Sequence, residues 1–189
     1  RRQTHPARTP IERVSDSTRA VDEPAPTFEL PNVGSGADPF GPRTAPPETD
    51  SLLLLFQRDY YCGNCRDQVA DIADRIEAFR AVDALPVSVL PESVDRTREW
   101  QAIVDLPYPV LADEGAAVGD SYDQPSRFGV LGNLSDLVGR MPLAVVLDVR
   151  GEPTVHATHP GSSPADRPPV ADLLDDCREC HDPEGSSGE

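Results

Sequence analysis

Hydrophobic residues along the chain alternate between strand-like runs and helix-like stripes. Two continuous apolar runs, "SLLLLFQ" at 51–57 and "LPVSVLP" at 85–91, predict strands that are buried on both faces. Between them the period becomes helical over 62–82, with apolar positions at Val69, Ile72, Ala73, Ile76 and Phe79. A polar helix is predicted over 92–105. This strand–helix–strand–helix order indicates a parallel sheet built with right-handed crossovers.

The flanking segments complete the predicted domain. "YPVLAD" at 108–113 predicts a short strand, 114–122 a brief helix, and 123–140 a long loop with one helical turn. "PLAVVLDVRGEPTVHAT" at 142–158 predicts a β-hairpin, and 170–176 a last amphipathic helix. "TFELP" at 27–31 is interpreted as an edge strand or hairpin arm, followed by a loop over 31–50. We therefore predict a flexible arm at 1–24, one domain at 25–176 and a tail at 177–189.

Charge narrows the possible partners. The 189 residues carry a formal net charge of -16, and arginine supplies every basic residue because lysine is absent. Such a charge repels nucleic acids and anionic membranes, so neither is expected as a partner. The longest apolar run, Leu52 to Phe56, is too short to cross a bilayer, and a soluble, cytoplasmic protein is predicted. An Asp-rich, Lys-free chain also resembles proteins of salt-loving archaea.

The first cysteine pair, in "YYCGNCRDQV", is the main candidate for chemistry. Cys62 lies where the first strand gives way to a helix, and the free backbone N–H groups of a first helical turn stabilise a thiolate and lower the pKa of the thiol. Cys65 follows one turn later. A redox pair is favoured, with Cys62 attacking and Cys65 resolving, and with Arg58 and Arg66 as flanking cations. A structural metal half-site and inert buried thiols are the alternatives.

The second pair, Cys177 and Cys180 in "CRECH", has several interpretations. It is an accessory disulfide that relays electrons to or from the first pair, or part of a metal site. Such a site would be local with His181 or a four-thiolate zinc site completed by the first pair. The string "CRECH" also matches the attachment motif for c-type haem. The remaining alternative is a tail without a dedicated role. A zinc-stabilised, non-enzymatic binding module that uses both pairs is the alternative function.

The motifs together resemble the alkyl hydroperoxide reductase and thiol-specific antioxidant family, the peroxiredoxin-like redoxins. The similar segments are "APTFELPNV", "LLLLFQRDYYCGNCRDQV", "LPYPVLADEGAAVGDSYD" and "MPLAVVLDVRGE". The resemblance implies a thioredoxin-like α/β fold with a central mixed β-sheet flanked by helices. It implies a thiol–disulfide oxidoreductase that acts on hydroperoxides or protein disulfides, needs no cofactor and takes electrons from a thioredoxin-type donor. It also implies that Pro142 follows a cis peptide bond beside the cysteines and docks substrate.

The sequence departs from the family pattern ahead of the nucleophile. A Pro and a Thr are expected seven and three residues before the peroxidatic cysteine, but Leu55 and Asp59 stand at these distances from Cys62. Arg127 or Arg140 is predicted to supply the cation that peroxide chemistry needs. His156 and His159 are interpreted as structural residues.

Overall fold

One mixed sheet forms the centre of the protein. A computed structural model describes residues 20–126 and 139–182. Its five strands are β1 (Ser51–Phe56), β2 (Ala84–Leu90), β3 (Val110–Ala112), β4 (Leu143–Asp148) and β5 (Thr154–Pro160). They lie in the order β3–β2–β1–β4–β5, with β1, β2 and β3 parallel and β4 and β5 antiparallel to their neighbours. This confirms the predicted thioredoxin-like α/β fold with a mixed sheet.

Helices connect and cover these strands. They are α1 (Gly63–Ala73), α2 (Ile76–Arg80), α3 (Val94–Val104), α4 (Ala117–Ser121) and α5 (Val170–His181), with a short 3₁₀ turn at Pro42–Thr44. The single helix predicted over 62–82 is instead two, because the backbone leaves helical geometry at Arg75. None of the helices in the described ranges is long and apolar enough to cross a membrane.

Two further predictions need correction. "TFELP" forms no strand; a single antiparallel bridge joins Leu30 to Phe40, because the glycine- and proline-rich chain that follows curls back at once. The last helix does not end at 176 but continues to His181. Cys177 and Cys180 are fully buried on it, so the predicted domain boundary at 176 falls inside a packed helix.

The alternating side chains of β1 divide the core between two faces of the sheet. Leu53 and Leu55 pack with residues of α1, α2, α3 and α5, including the buried Trp100. Leu52, Leu54 and Phe56 pack on the other face against the N-terminal segment and the region of α4. The longer helices thus lie together on one face.

The strand directions determine which chain segments meet at each end of the sheet. Phe56, which ends β1, pairs with Leu143 at the start of β4, and Leu143 pairs with Pro160 at the end of β5. The chain segments that follow β1 and β5 therefore emerge at the same end. Helix α5 then runs back along the sheet, so that its last turn lies beside Asp50 at the opposite end.

Candidate active site

The cysteine pair lies directly after β1, at the start of α1. Cys62 is the N-cap residue of α1, and its Sγ accepts a hydrogen bond of 3.2 Å from the backbone N–H of Cys65. The two residues are at disulfide distance, with their Cα atoms 5.2 Å apart. Cys62 is 6% exposed, whereas Cys65 is fully buried. The strand–turn–helix setting predicted for the pair is therefore present, with the free N–H groups of the first turn at the sulfurs.

Arg167 is the side chain that approaches both sulfurs. Its Nη2 lies 2.9 Å from Sγ of Cys65 and 3.3 Å from Sγ of Cys62, while Nη1 donates to the carbonyl of Pro164. Burial lowers the pKa of Arg167, and the nearby charge of Arg58 lowers it further. An arginine keeps its proton despite such a shift, so a permanent positive charge stands beside the pair.

The two arginines that flank the pair in sequence support the loop backbone. Nε of Arg58 donates to the carbonyl of Arg140 over 2.7 Å, and Nη2 of Arg66 donates to the carbonyl of Tyr60 over 2.8 Å. These bonds fix the segment between β1 and α1 from both sides. Arg58 also adds positive charge near the sulfurs, because it lies close enough to affect Arg167.

Asp59 stands at the sequence position of the family's threonine, yet its carboxylate is engaged elsewhere. Oδ1 accepts the backbone N–H of Tyr61 at 2.8 Å, and Oδ2 lies 3.9 Å from Arg58. Within the described ranges, the donors recorded to Sγ of Cys62 are the N–H of Cys65 and the guanidinium of Arg167. Neither of these donors is a hydroxyl.

An aromatic rim borders the exposed side of Cys62. Tyr61 is 76% exposed and packs edge-on against Tyr60. The guanidinium of Arg96 lies 4.4 Å from the ring centre of Tyr60 and 5.5 Å from that of Tyr61, which is cation–π geometry. Arg96 is also held by Glu92. Tyr61 is thus an exposed ring next to the cysteine pair, supported by its contacts with Tyr60 and Arg96.

The peptide bond before Pro142 corrects the sequence prediction. In the described ranges the cis bond is Asp38–Pro39, and the bond between Met141 and Pro142 is trans. Hydrogen bonds hold this segment: Met141 donates to the carbonyl of Pro125, and the carbonyl of Pro142 accepts from Gly161. Pro142 nevertheless lies at the active-site end of the sheet, immediately before β4, and packs against Gly161.

The arginines predicted to serve peroxide have different positions. Arg140 is buried; its guanidinium pairs with Asp120 at 2.6 Å and donates to Gln124 at 3.2 Å. Its carbonyl, rather than its charge, reaches the active-site loop, through the bond from Arg58. Arg127 lies outside the described residues.

The second cysteine pair lies far from the first. Cys177 and Cys180 are both free thiols, buried where α5 crosses β1, and Cys177 lies beside Ser51 at the start of that strand. Cys62 follows the other end of β1, so a strand of about 17 Å separates the pairs. Burial raises the pKa of Cys177 to about 12 and that of Cys180 to about 11. The structure therefore brings neither thiol to the active site.

The four-thiolate zinc site and the binding module built on it receive no support. Cys62 and Cys65 are joined to each other, and Cys177 and Cys180 lie at the opposite end of β1. A haem could not attach to the second pair without exposing the core that buries it. His181 instead lies 2.8 Å from Asp50, and His159 contacts Asp176.

Sequence reasoning missed Arg167, although the fold offers a signal for it. Arg167 follows β5 in a proline-rich loop and is 105 positions from Cys62. The hairpin is predicted from the sequence, and because its first strand is antiparallel to β1, its second strand returns the chain to the end where β1 stops. Cations in the segment after the hairpin are therefore candidates for the site.

Comparison with known proteins identifies the family of the chain. The AhpC/TSA family matches residues 21–151, which is most of the chain. No curated protein matches the sequence.

Solved structures show the same fold. The mitochondrial 2-Cys peroxiredoxin of Plasmodium falciparum superposes with a TM-score of 0.71 at 15% identity, covering 90% of this chain and 99% of that one. Peroxidoxin BcpB of Mycobacterium tuberculosis gives 0.67 at 19%, covering 84% and 96%. The reduced 2-Cys peroxiredoxin of Plasmodium vivax gives 0.69 at 16%, covering 87% and 98%. Because the family match spans residues 21–151, more than half of the chain, the chain belongs to the AhpC/TSA family.

Proposed function

We propose that the protein is a thiol-dependent peroxidase that reduces hydroperoxides through Cys62 and Cys65. The observation that carries the proposal is the guanidinium of Arg167, within hydrogen-bond distance of both sulfurs at the start of α1. A positive charge and free N–H groups at the same place favour thiolate over thiol. Membership of the AhpC/TSA family supports the same activity.

Cys62 is the nucleophile in this proposal. It is the more exposed of the two cysteines, and as the N-cap residue its Sγ accepts a hydrogen bond from the N–H of Cys65. Cys65 is fully buried behind it. A hydroperoxide arriving from solvent therefore meets Cys62 first, and Cys65 is placed to attack the product.

The proposed cycle transfers two electrons. The thiolate of Cys62 attacks the terminal oxygen of the hydroperoxide, the O–O bond breaks, and the departing alkoxide takes a proton from solvent, so that Cys62 becomes a sulfenic acid and an alcohol is released. The thiolate of Cys65 then attacks that sulfur, the disulfide forms, and the departing hydroxide takes a proton from solvent to give water. A partner dithiol of the thioredoxin type restores both thiols by disulfide exchange. No organic cofactor takes part.

A second candidate is reduction of disulfides in other proteins. It is favoured by the donors at Sγ of Cys62 in the described ranges, which include no hydroxyl to orient a peroxide oxygen. The exposed ring of Tyr61 beside the pair is suited to contact with a protein surface.

Substrate contacts outside the pair are also proposals. Pro142 lies beside Met141 and Gly161, which line a cleft of about 420 Å³ together with Pro125, Ser126, Ser162, Ser163 and Pro164. We assign substrate docking to Pro142 and to this cleft, with Arg127 as a further contact. The cytoplasmic location and the salt-adapted origin also stay predictions.

Peroxide consumption tests the proposal. The fully reduced protein is mixed with one equivalent of hydrogen peroxide without oxygen, and thiol loss is compared with free cysteine at the same pH. We expect loss far faster than for free cysteine, with formation of the Cys62–Cys65 disulfide. Cys62→Ser is expected to abolish the rapid phase, and Cys65→Ser to preserve it while a sulfenic acid accumulates.

A parallel assay separates the two candidates. The same reduced protein is offered an oxidised protein disulfide in place of peroxide. Peroxide reactivity no greater than that of free cysteine, with rapid disulfide exchange that is lost in Cys62→Ser, would contradict the peroxidase and favour the disulfide reductase.

A further inference from the structure

Three potential metal ligands from separate parts of the chain meet at the end of the sheet opposite Cys62. Asp50 precedes β1, Asp83 forms the turn before β2, and His181 is the last residue of α5. The backbone ties the first two together, because the N–H of Asp50 donates to the carbonyl of Asp83 over 2.8 Å. The proposed peroxidase chemistry uses none of these residues.

The distances between the ligand atoms suit a metal ion. Nδ1 of His181 lies 2.8 Å from Oδ2 of Asp50 and 3.8 Å from Oδ2 of Asp83, and all three ligand atoms lie within 4.8 Å of one another. In a tetrahedral zinc site with bonds of about 2.0–2.2 Å, neighbouring ligand atoms are about 3.4 Å apart. The two distances to His181 fall on either side of this value, so small side-chain rotations would place an ion between the three atoms.

Charge at this end also favours a cation. Asp148 lies nearby and is paired with Arg150, while Asp50 and Asp83 have the imidazole of His181 between them. Arg43, the other arginine near Asp50, is paired with Glu152, so within the described ranges no arginine forms a recorded salt bridge with Asp50 or Asp83. The ligand atoms remain partly open to solvent, which leaves room for a water molecule in a fourth position.

We propose that Asp50, Asp83 and His181 bind one divalent transition-metal ion of the zinc class, with two carboxylate oxygens and one imidazole nitrogen as ligands. The ion would join the start of β1, the turn before β2 and the end of α5. Such an ion would fix the last turn of α5, the turn that carries the buried thiol of Cys180. The proposal is independent of the peroxidase function.

Zinc titration of the full chain tests this site. The protein is freed of metal with a chelator, kept with the Cys62–Cys65 disulfide closed, and titrated calorimetrically with Zn²⁺ in slightly alkaline buffer. We expect one ion per chain. Asp83→Asn and His181→Gln should each weaken binding by at least about tenfold, the lower limit typical of losing even an outer-sphere partner of a metal.

Matched variants exclude general effects of charge or backbone. Asp105→Asn is the control for Asp83→Asn, because Asp105 is also an aspartate with a left-handed backbone, with φ of 50° against 48°. His156→Gln, on β5, is the control for His181→Gln. Both controls should bind zinc as the unaltered protein does. Bound zinc should also raise the urea midpoint of the unaltered protein and of the controls, and at the same zinc concentration it should raise that of the two ligand variants by less.

Cobalt distinguishes this site from binding by the thiols. Co²⁺ held by oxygen and nitrogen gives no intense sulfur-to-metal charge-transfer band, and Cys180→Ser should leave the affinity unchanged. Absence of stoichiometric binding would overturn the proposal. So would affinity that survives both Asp83→Asn and His181→Gln, or a thiolate band that disappears in Cys180→Ser.

Discussion

At the scale of single residues, the positive charge of Arg167 is expected to control the reactivity of the cysteine pair. Its Nη2 lies within 3.3 Å of both sulfurs. Replacement by methionine keeps much of the aliphatic bulk and removes the charge. A nearby opposite charge shifts the pKa of a group by about one unit or more. Arg167→Met should therefore raise the pKa of Cys62 and slow alkylation of the reduced residue by about tenfold at neutral pH. The rate of iodoacetamide labelling against pH measures this effect.

Arg98→Met is the control for that experiment. Arg98 is exposed on α3 and paired with Asp95, so its loss removes the same charge from the molecule at a distance from the sulfurs. Fluorescence of the single, buried Trp100 verifies that both variants are folded. Equal labelling rates in the two variants would show that the contact with Arg167 does not stabilise the thiolate.

The residues of the site differ in how far sequence alone could identify them. Cys62 and Cys65 are predicted because the chemistry is local: a strand ends, a helix begins, and the spacing places both sulfurs in one turn. Arg167 acts through tertiary structure, and nothing within its own segment distinguishes it from Arg127 or Arg140. The cis bond predicted before Pro142 came from the family resemblance, and the hydrogen bonds around Met141 and Gly161 hold a trans segment instead.

At the scale of elements, α5 determines the state of the second cysteine pair. Burial raises the pKa of Cys177 to about 12 and that of Cys180 to about 11, so both remain protonated and unreactive at neutral pH. We expect iodoacetamide to modify Cys177 and Cys180 only in urea, so that at most two cysteines of the reduced, folded protein are labelled, against all four in urea. Intact-mass spectrometry counts the labels, and peptide mapping should find none on Cys177 or Cys180 under native conditions. Native labelling of Cys177 or Cys180 would contradict the packing of α5.

The sequence contains the signal for the full length of α5. Val170, Leu173, Leu174, Cys177 and Cys180 share one helical stripe, and all five are buried. A helix that ends at 176 leaves Cys177 and Cys180 outside the apolar stripe. Free cysteine is among the most buried residue types, so both cysteines count as apolar positions that extend the stripe. By contrast, the break between α1 and α2 carries no proline or glycine, and an apolar stripe runs through it. The sequence therefore contains no local signal for that break.

A contact between β5 and α5 should make stability depend on pH. The pKa of His159 is raised, chiefly by its hydrogen bond to Asp176. The stabilisation is fully present below the ordinary histidine pKa of about 6.5 and is lost as the pH rises through the higher pKa of the folded state. His159→Gln should therefore lower the free energy of unfolding at pH 5.5 more than at pH 9. The difference should be about 1 kcal/mol or less, because both side chains are partly exposed.

Urea unfolding at the two pH values measures that difference. His156→Gln is the control, since His156 lies on the same strand and has no carboxylate hydrogen bond recorded among the described residues. A loss of stability in His159→Gln that is equal at both pH values would indicate lost packing and not a lost ion pair.

At the scale of the whole molecule, the hydrophobic pattern predicts the topology of the sheet. Buried runs at β1 and β2, a helical stripe between them and a closing hairpin leave few alternatives to a mixed sheet with right-handed crossovers. The distribution of helices over the two faces does not follow from the pattern, because it depends on how the segment before β1 packs. Phe40 and Tyr122 cover the second face, and both lie in connecting segments for which the sequence predicts only a loop or a brief helix.

The net charge of -16 should make stability depend on salt. Like charges repel most in the compact state, and the screening length falls from about 10 Å at 0.1 M salt to about 3 Å at 1 M. We expect the free energy of unfolding to rise by about 1 kcal/mol or more over that range, roughly 0.5 M in urea midpoint for a slope of about 2 kcal/mol/M. Trp100 fluorescence follows the transition in potassium chloride, with sucrose of equal osmolality as the control, because sucrose favours burial without screening charge. A midpoint that moves equally in both, or in neither, would show that charge repulsion does not limit the stability of this fold.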